Sequence, residues 1–325
     1  EWLGWCLDEK VNGELTGFSN LKEDEGFQAC RHDQSILTNM AIRDGLSVVD
    51  SNIRNLIECN ADYWYERYFK GQMQMYRPID TFMLQVKDKV DYINQKIVDS
   101  IVLTVHNQEG IIKKILSGIE ENTEGSYELI IILDGCTDNS EKDVIEYVNN
   151  SSLKDKTIIK YTNNIFENKA NNIAFKQCTG KYVTIVQDDQ LINEKGWNNR
   201  MHKPFIEFDD VFAVSARAAH NLMPNPNSQH LGMEEDLDNC WCDILDNVDV
   251  AESRNLSRDV FAVRGSANRG PLMIDLDDLK KLNYLDEEYA PQQLDDHDLM
   301  FRMRKELGKV CGCYWIDFVL SLIHI

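Results

Sequence analysis

From residue 97 onward, apolar runs and amphipathic stretches alternate regularly. Ile97–Val105 is a nearly continuous apolar run and predicts a strand. Glu109–Glu121 carries its apolar residues at helical spacing. Tyr127–Leu133, Lys156–Tyr161 and Lys181–Val186 predict further strands. Helices are expected from about Ser140 to Asn149 and over Lys169–Cys178. Gly125 and Gly180 mark turns before strands. The β-α-β-α-β-α-β order predicts an α/β fold with a mostly parallel sheet flanked by helices. A helix near Gly196–Phe208 and a strand at Val211–Ser215 follow.

The pattern then loosens. Residues 233–252 contain eight acids and no basic residue. They read as a solvated loop, with a lid or a second cation site as the functional alternatives. Order returns with a strand at Val260–Gly265 and helices at Leu276–Leu282 and Asp296–Leu307. A strand at Tyr314–Val319 closes the pattern. Ahead of residue 97, Ser35–Arg43 predicts a helix. Residues 61–97 predict two more, one rich in aromatics (Tyr63, Trp64, Tyr65, Tyr68, Phe69) and one near Phe82–Ile97. Aromatics at this density pack a domain seam or a partner.

Composition narrows the function classes. The chain has 325 residues, enough for one large or two modest domains, with 43% apolar and 27% charged residues, as in soluble globular proteins. Its formal net charge of -21 makes it a poor match for nucleic acid or anionic lipid. An acidic cofactor stays compatible, because a divalent ion reverses the local field. No apolar run is long enough to predict a transmembrane segment. The opening lacks the basic-then-apolar order of a signal peptide and is expected to lie inside a longer gene product. Nine cysteines include the pairs Cys240/Cys242 and Cys311/Cys313. The odd count, the tight C-x-C spacing and the lack of a nearby His favour reduced thiols in a cytoplasmic protein over disulfides or zinc.

Acidic residues carry the candidate chemistry. Asp188-Asp189 follows the strand ending at Val186, where open α/β sheets bind ligands. The pair supplies hard oxygen ligands suited to Mg²⁺ or Mn²⁺. Asp134 ends the strand Glu128–Leu133 and can accept hydrogen bonds from a ribose hydroxyl or a base N–H. Gly135 permits a tight exit, and Asp138 or Ser140 can cap the next helix. Asp295, Asp296 and Asp298 surround His297 at a helix start, which suits both capping and a base that takes a proton from a hydroxyl. The chain lacks G-x-G-x-x-G and G-x4-G-K-[ST], which argues against a nicotinamide enzyme and a P-loop ATPase.

These segments carry a resemblance. Thr104-Val-His-Asn-Gln-Glu109 resembles P-x-Y-N-x-E, and Asp134-Gly-Cys-Thr-Asp-Asn-Ser140 resembles D-x-S-x-D-x-[ST]. The stretch Asn171–Tyr182 resembles R-N-x-G-x3-A-x-G-x-Y, and Asp188-Asp189 falls at a D-x-D position. Asp295–Arg302 resembles E-D-x-D-L-x-x-R. In this order the motifs are similar to those of glycosyltransferase family 2, over about residues 98–318. The resemblance implies a GT-A nucleotide-diphospho-sugar fold and an inverting, metal-dependent transferase. It implies Mn²⁺ or Mg²⁺ held by Asp189 and Asp188, and a nucleoside-diphosphate-sugar donor lined by Asn107, Glu109, Asp134, Asn172 and Asp188. Asp296 would be the catalytic base, with His220, Arg269 and Asp295 on the substrate side. The acceptor would be a sugar or glycan, lipid-linked ones included, in polysaccharide or surface glycan synthesis at the cytosolic face of a membrane or in the cytoplasm. Departures include Gln190 after the acidic pair, Asn171 for arginine, Ala174 for glycine and Cys178 for alanine.

Phe27-Gln-Ala-Cys-Arg-His-Asp-Gln-Ser35 resembles a segment near the end of some polysaccharide-type transferases. It implies a remnant of an upstream domain over residues 1–60, a helical linker over 61–97 and the GT-A domain over 98–325. The upstream domain of the same polypeptide would then be missing. The alternatives are an inactive GT-A domain that binds nucleotide-sugar or carbohydrate, and a sugar nucleotidyltransferase. The latter should carry a Gly- and Arg-rich loop after its first strand, and residues 104–109 supply none.

Overall fold

The computed structural model describes residues 76–79, 99–224, 240–246, 258–291 and 294–320. The helices expected at 35–43, 63–69 and 82–97, and the segment resembling an upstream transferase, lie outside these residues.

Nine strands form one sheet. In chain order they are β1 (Tyr76–Pro78), β2 (Asp99–Val105), β3 (Tyr127–Asp134), β4 (Thr157–Thr162), β5 (Tyr182–Gln187), β7 (Val211–Ser215), β10 (Val260–Arg264), β12 (Leu272–Asp275) and β13 (Val310–Cys313). Across the sheet the order is β1-β10-β13-β7-β12-β5-β2-β3-β4. The half β5-β2-β3-β4 is parallel throughout. The other half is mixed: β13 runs parallel to β7, while β12 is antiparallel to both β5 and β7. β2 and β3 are buried along their whole length, as their largely apolar runs require of central strands covered on both faces. On β4, an edge strand, residues alternate between half-buried and exposed over most of its length.

Two apolar layers cover the sheet. α1 (Ile112–Asn122), α2 (Ser140–Asn149) and α4 (Trp197–Glu207) bury Ile115, Leu116, Val144, Trp197 and Met201 against Ile101, Leu103, Leu129 and Ile131. α3 (Glu167–Phe175), α5 (Leu276–Lys281) and α6 (Asp295–Arg302) bury Ala170, Phe175, Leu279 and Leu299 against Val102, Ile130 and Val183. The period-two alternation of Ile101, Val102 and Leu103 between the two layers is what a strand imposes on its side chains.

Small antiparallel sheets complete the described chain. β11 (Ser266–Ala267), β8 (Ala218–Pro224) and β9 (Cys240–Asp246) form one. β6 (Gln190–Ile192) pairs with β14 (Phe318–Leu320) in the other.

The sheet corrects several expectations. Tyr76–Pro78, inside the span expected to be helical linker, pairs antiparallel with β10. Within the acidic stretch expected to be loop, Cys240–Asp246 is a strand paired with β8. The strand expected at Tyr314–Val319 is replaced by β13 just before it and β14 at its end. At Gly312 a Cβ would meet the Ala262 carbonyl oxygen at 2.1 Å, so only glycine allows β13 to lie this close to β10. The helix expected over Asp296–Leu307 starts at Asp295 and finishes as a π-helical turn from Met303 to Leu307.

Candidate active site

The exits of β2, β3 and β5 lie side by side at the carboxyl edge of the parallel half, and hydrogen bonds lace them together. At the β2 exit, Asn107 takes a left-handed backbone (φ 53°). Its amide oxygen accepts from the Thr137 N–H at 2.7 Å, and its amide nitrogen meets His106 Nε2 at 3.1 Å. His106 Nδ1 lies 2.6 Å from the Asp134 carbonyl oxygen. A carbonyl only accepts, so Nδ1 carries the hydrogen and Nε2 receives the Asn107 amide. Glu109 accepts from the Asn139 side chain at 2.6 Å, and the Glu109 N–H donates to Asp138 at 2.9 Å. Asp138 also accepts from the Ser140 N–H, so of the two expected capping residues it is Asp138 that secures the start of α2.

Asp134 is 2% exposed. Its carboxylate accepts from Thr162 Oγ1 at 2.7 Å, from the Ile165 N–H at 2.8 Å and from the Phe166 N–H at 2.9 Å. The structure thus uses this side chain to anchor the turn between β4 and α3. The next residue must be glycine: Gly135 has φ 63°, and a Cβ there would lie 2.6 Å from the Asn164 nitrogen. Asn172 is likewise buried in a clamp. Its Oδ1 accepts from the Leu285 N–H at 3.0 Å, and its Nδ2 donates to the Leu285 carbonyl at 2.8 Å and to Glu287 at 3.1 Å.

The acidic pair sits in the turn between β5 and β6. Asp188 accepts from the His106 N–H at 2.8 Å. Burial pushes its carboxyl up to about 7 against that hydrogen bond, and the nearby charges of Glu167 and Asp189 push the same way. Gln190 locks the turn: its Nε2 donates to Gln187 Oε1 at 2.8 Å, and its Oε1 accepts from the Gln187 N–H at 3.1 Å. The residue standing where a third acid was expected therefore shapes the turn and adds no charge.

Glu167, the first residue of α3, is a site acid that sequence reading missed. Its only signal was an acid at a helix start, the commonest place for one. Glu167 lies 3.1 Å from the Arg269 guanidinium, which donates from its other nitrogen to Asp295 Oδ1 at 2.8 Å. Burial alone would lower the Arg269 pKa, but Glu167, Asp295 and Asp296 outweigh it and raise it, so the guanidinium stays charged. Burial pushes Asp295 up to about 6, with Arg269 opposing and Asp296 and Glu167 adding to the rise. Arg269 therefore joins the start of α3 to the start of α6.

Asp296 pairs with His297, whose Nδ1 lies 2.8 Å from Asp296 Oδ1. Asp298 and Arg302 hold one another at 2.7 Å. Arg302 also donates to the Leu282 and Tyr284 carbonyls at 2.6 and 2.9 Å, which makes this end of the motif a brace for the preceding loop. His220 lies on β8 opposite Ser266 of β11, and the role expected of its side chain lies outside the described residues.

The structure brings together Asp188 with Glu167, and Glu167 with Arg269 and Asp295. Asp134, Asn107 and Glu109 appear as hydrogen-bonded supports of the strand exits, while Asn172 clamps α3 to the 285–287 segment. No group of three or more His, Cys, Asp or Glu side chains among the described residues forms a ready-made metal cage. The donor set still fits a hard divalent cation. Asp188 is a carboxylate whose charge burial disfavours, beside another acid, and a cation would restore that charge.

The sequence model described as Glycosyl transferase family 2 matches residues 100–268, and the chain belongs to this family. Its sheet, parallel through one half with helices on both faces, is the GT-A arrangement. A curated relative, Glycosyltransferase GlyA of Streptococcus pneumoniae, is 25% identical over 155 residues, covering 47% of this chain and 21% of the relative. The match thus spans about a fifth of that relative's length. Among solved structures, Staphylococcus aureus TarS 1-349 is similar at 15% identity and a TM-score of 0.44, over 69% of this chain and 60% of that one. The mannosyltransferase PcManGT from Pyrobaculum calidifontis, in complex with GDP-Man and Mn²⁺, is similar at 13% identity and a TM-score of 0.47, over 79% and 66% of the two chains. No helix among the described residues is long and apolar enough to cross a membrane.

Proposed function

We propose that this chain transfers a sugar from a nucleoside-diphosphate-sugar to an acceptor hydroxyl with inversion at the anomeric carbon, in the assembly of a polysaccharide or surface glycan. The observation that carries the reading is the bridge from Glu167 through Arg269 to Asp295, which ties the start of α3 to the start of α6. Acids on the proposed donor side and on the proposed acceptor side are thereby held around one cation, as a single displacement requires.

In this reading Asp189 and Asp188 would hold Mn²⁺ or Mg²⁺. The cation, when bound, neutralises charge on the departing nucleoside diphosphate. The His106 N–H fixes Asp188. Asn107, Glu109 and Asp134 keep the strand exits in place around the nucleotide. Arg269 holds Asp295 on the substrate side, and His220 lies on the strand beside it. Asp296 takes the proton of the acceptor hydroxyl as that oxygen attacks the anomeric carbon, and the bond to the diphosphate oxygen breaks on the opposite face. In this reading the transferase domain runs over 98–325 and takes in β1 (Tyr76–Pro78) as an edge strand, with residues 1–60 as a separate part.

The test is a panel of UDP-glucose, UDP-galactose, UDP-N-acetylglucosamine, GDP-mannose and a dTDP-sugar, each incubated with the chain and Mn²⁺. Release of nucleoside diphosphate is expected from one of them, since water substitutes slowly for the acceptor. Asp296→Asn should keep nucleotide binding and lose turnover, and unchanged turnover would remove Asp296 as the base. Metal-dependent nucleotide binding without turnover of any donor would favour an inactive binding domain. Binding of sugars with no nucleotide binding would favour a carbohydrate module.

A further inference from the structure

Asp295 and Asp296 are neighbours in sequence, yet α6 gives them different partners. Asp295 Oδ1 accepts from Arg269, while its Oδ2 is buried without a hydrogen-bond partner among the described residues. Asp296 Oδ1 accepts twice from the next residue, from the His297 backbone N–H and from its ring Nδ1, each at 2.8 Å. A carboxylate only accepts, so Nδ1 carries the hydrogen. Both side chains are largely withdrawn from solvent, at 14% and 15% exposure.

Helix-start chemistry does not account for a histidine here. The first turn of a helix favours acids, and a histidine that gains a proton there opposes the helix dipole. What the ring does supply is a second hydrogen bond to an oxygen already held by the main chain. Two donors on one oxygen fix the rotamer and the plane of the carboxylate, and with them the direction of the other oxygen. They also draw negative charge toward Oδ1.

We infer that His297 is a positioning residue for Asp296: its Nδ1–H holds Oδ1, so that proton abstraction falls to Oδ2 in a fixed orientation. This rests on the reading of Asp296 as the base. The ring needs only its Nδ1 for this work. An asparagine amide nitrogen overlies Nδ1, whereas a glutamine amide nitrogen overlies Nε2.

That difference makes the experiment. His297→Asn, His297→Gln and Asp296→Asn are compared with the unchanged chain, using whichever nucleotide-sugar of the panel is hydrolysed with Mn²⁺. His297→Gln should lower kcat about tenfold with KM for the donor unchanged, and His297→Asn should stay within roughly twofold of the unchanged chain. In parallel, nitrogen-15 spectra of the imidazoles at pH 8 should show His297 as the Nδ1–H tautomer, lost in Asp296→Ala. Glutamine matching or exceeding asparagine in kcat would overturn the inference, as would a His297 tautomer indifferent to Asp296. Full turnover in Asp296→Asn would overturn the base reading beneath it. A dead Asp296→Asn with equal His297→Asn and His297→Gln would overturn the positioning role alone.

Discussion

The main-chain N–H of His106 donates to the Asp188 carboxylate across 2.8 Å, so the exit of β2 fixes the acid that follows β5. Asp189 is then carried into a turn closed by Gln187 and Gln190. Asp188→Asn keeps an oxygen for His106 and should leave the fold intact. It should weaken Mn²⁺-dependent binding of UDP or GDP by at least about tenfold, and Asp189→Asn should do the same. Titration calorimetry with Mn²⁺, and again with EDTA, checks this. Equal affinities in all variants would count against the metal assignment.

Arg269 is the cation between Glu167 and Asp295, and Asp295 is nearly inaccessible. Replacing it by methionine leaves a buried acid without its counter-charge. Arg269→Met should lose about 3 kcal/mol of stability, the lower end for a broken buried pair because Glu167 is partly exposed. Urea unfolding measures it, and a loss under about 1 kcal/mol would show the pair to be screened.

Asp295 sets a pH dependence. Its carboxyl is raised from the ordinary value to about 6, so between about pH 4 and 6 the folded chain binds this proton more than the unfolded chain does. Its contribution to stability therefore falls as pH rises through that window and is constant above it. Asp295→Asn removes the titration. The variant should gain on the unchanged chain from pH 4 to 6 in urea midpoint, and parallel curves would refute the shift.

Three donors converge on the Asp134 carboxylate. Asp134→Ala leaves the Ile165 and Phe166 N–H groups without their acceptor and should cost about 2–4 kcal/mol. A purely nucleoside-contacting role predicts lost binding with unchanged stability, so thermal unfolding without ligand separates the two.

Phe166 holds φ 71° and ψ 154°, a region that is essentially glycine-only, while the residue is 46% exposed. Strain of this kind costs about 1–3 kcal/mol, and little burial is lost with the ring. Phe166→Gly should therefore raise the melting temperature. A lower one would mean that the ring contributes more packing than its exposure indicates.

The parallel half was legible because most of its strands are largely apolar runs and its helices are amphipathic. Ser140–Asn149 and Val211–Ser215 agree with the sequence reading to the residue. The short antiparallel strands β6, β8, β9, β11 and β12 were not read, since two to seven residues without a clear period look like loop. At the candidate site, residue type and position after a strand singled out Asp188 and Asp189, and residue type at a helix start singled out Asp295 and Asp296. Sequence could not tell an acid that faces ligand from one enclosed by its own loop. Asp134 needed the coordinates of Thr162, Ile165 and Phe166 before its role as an anchor appeared. Glu167 was hidden because nothing local announces a salt bridge to a residue 102 positions away.

β12 has a consequence for the order of assembly. Its four residues lie between β5 and β7 and are the sheet's link between the parallel half and the strands beyond. The stretch matching the family model ends at residue 268, before Leu272. As the chain leaves the ribosome, β5 and β7 are both made long before the strand that joins them, and until then each presents an open edge. A fragment cut at residue 268 keeps the acidic pair but lacks both β12 and β13, so edges of β5, β7 and β10 are left raw. It should associate through those edges, and extension through Cys313, which brings in both β12 and β13, should be the step that makes the fragment monodisperse.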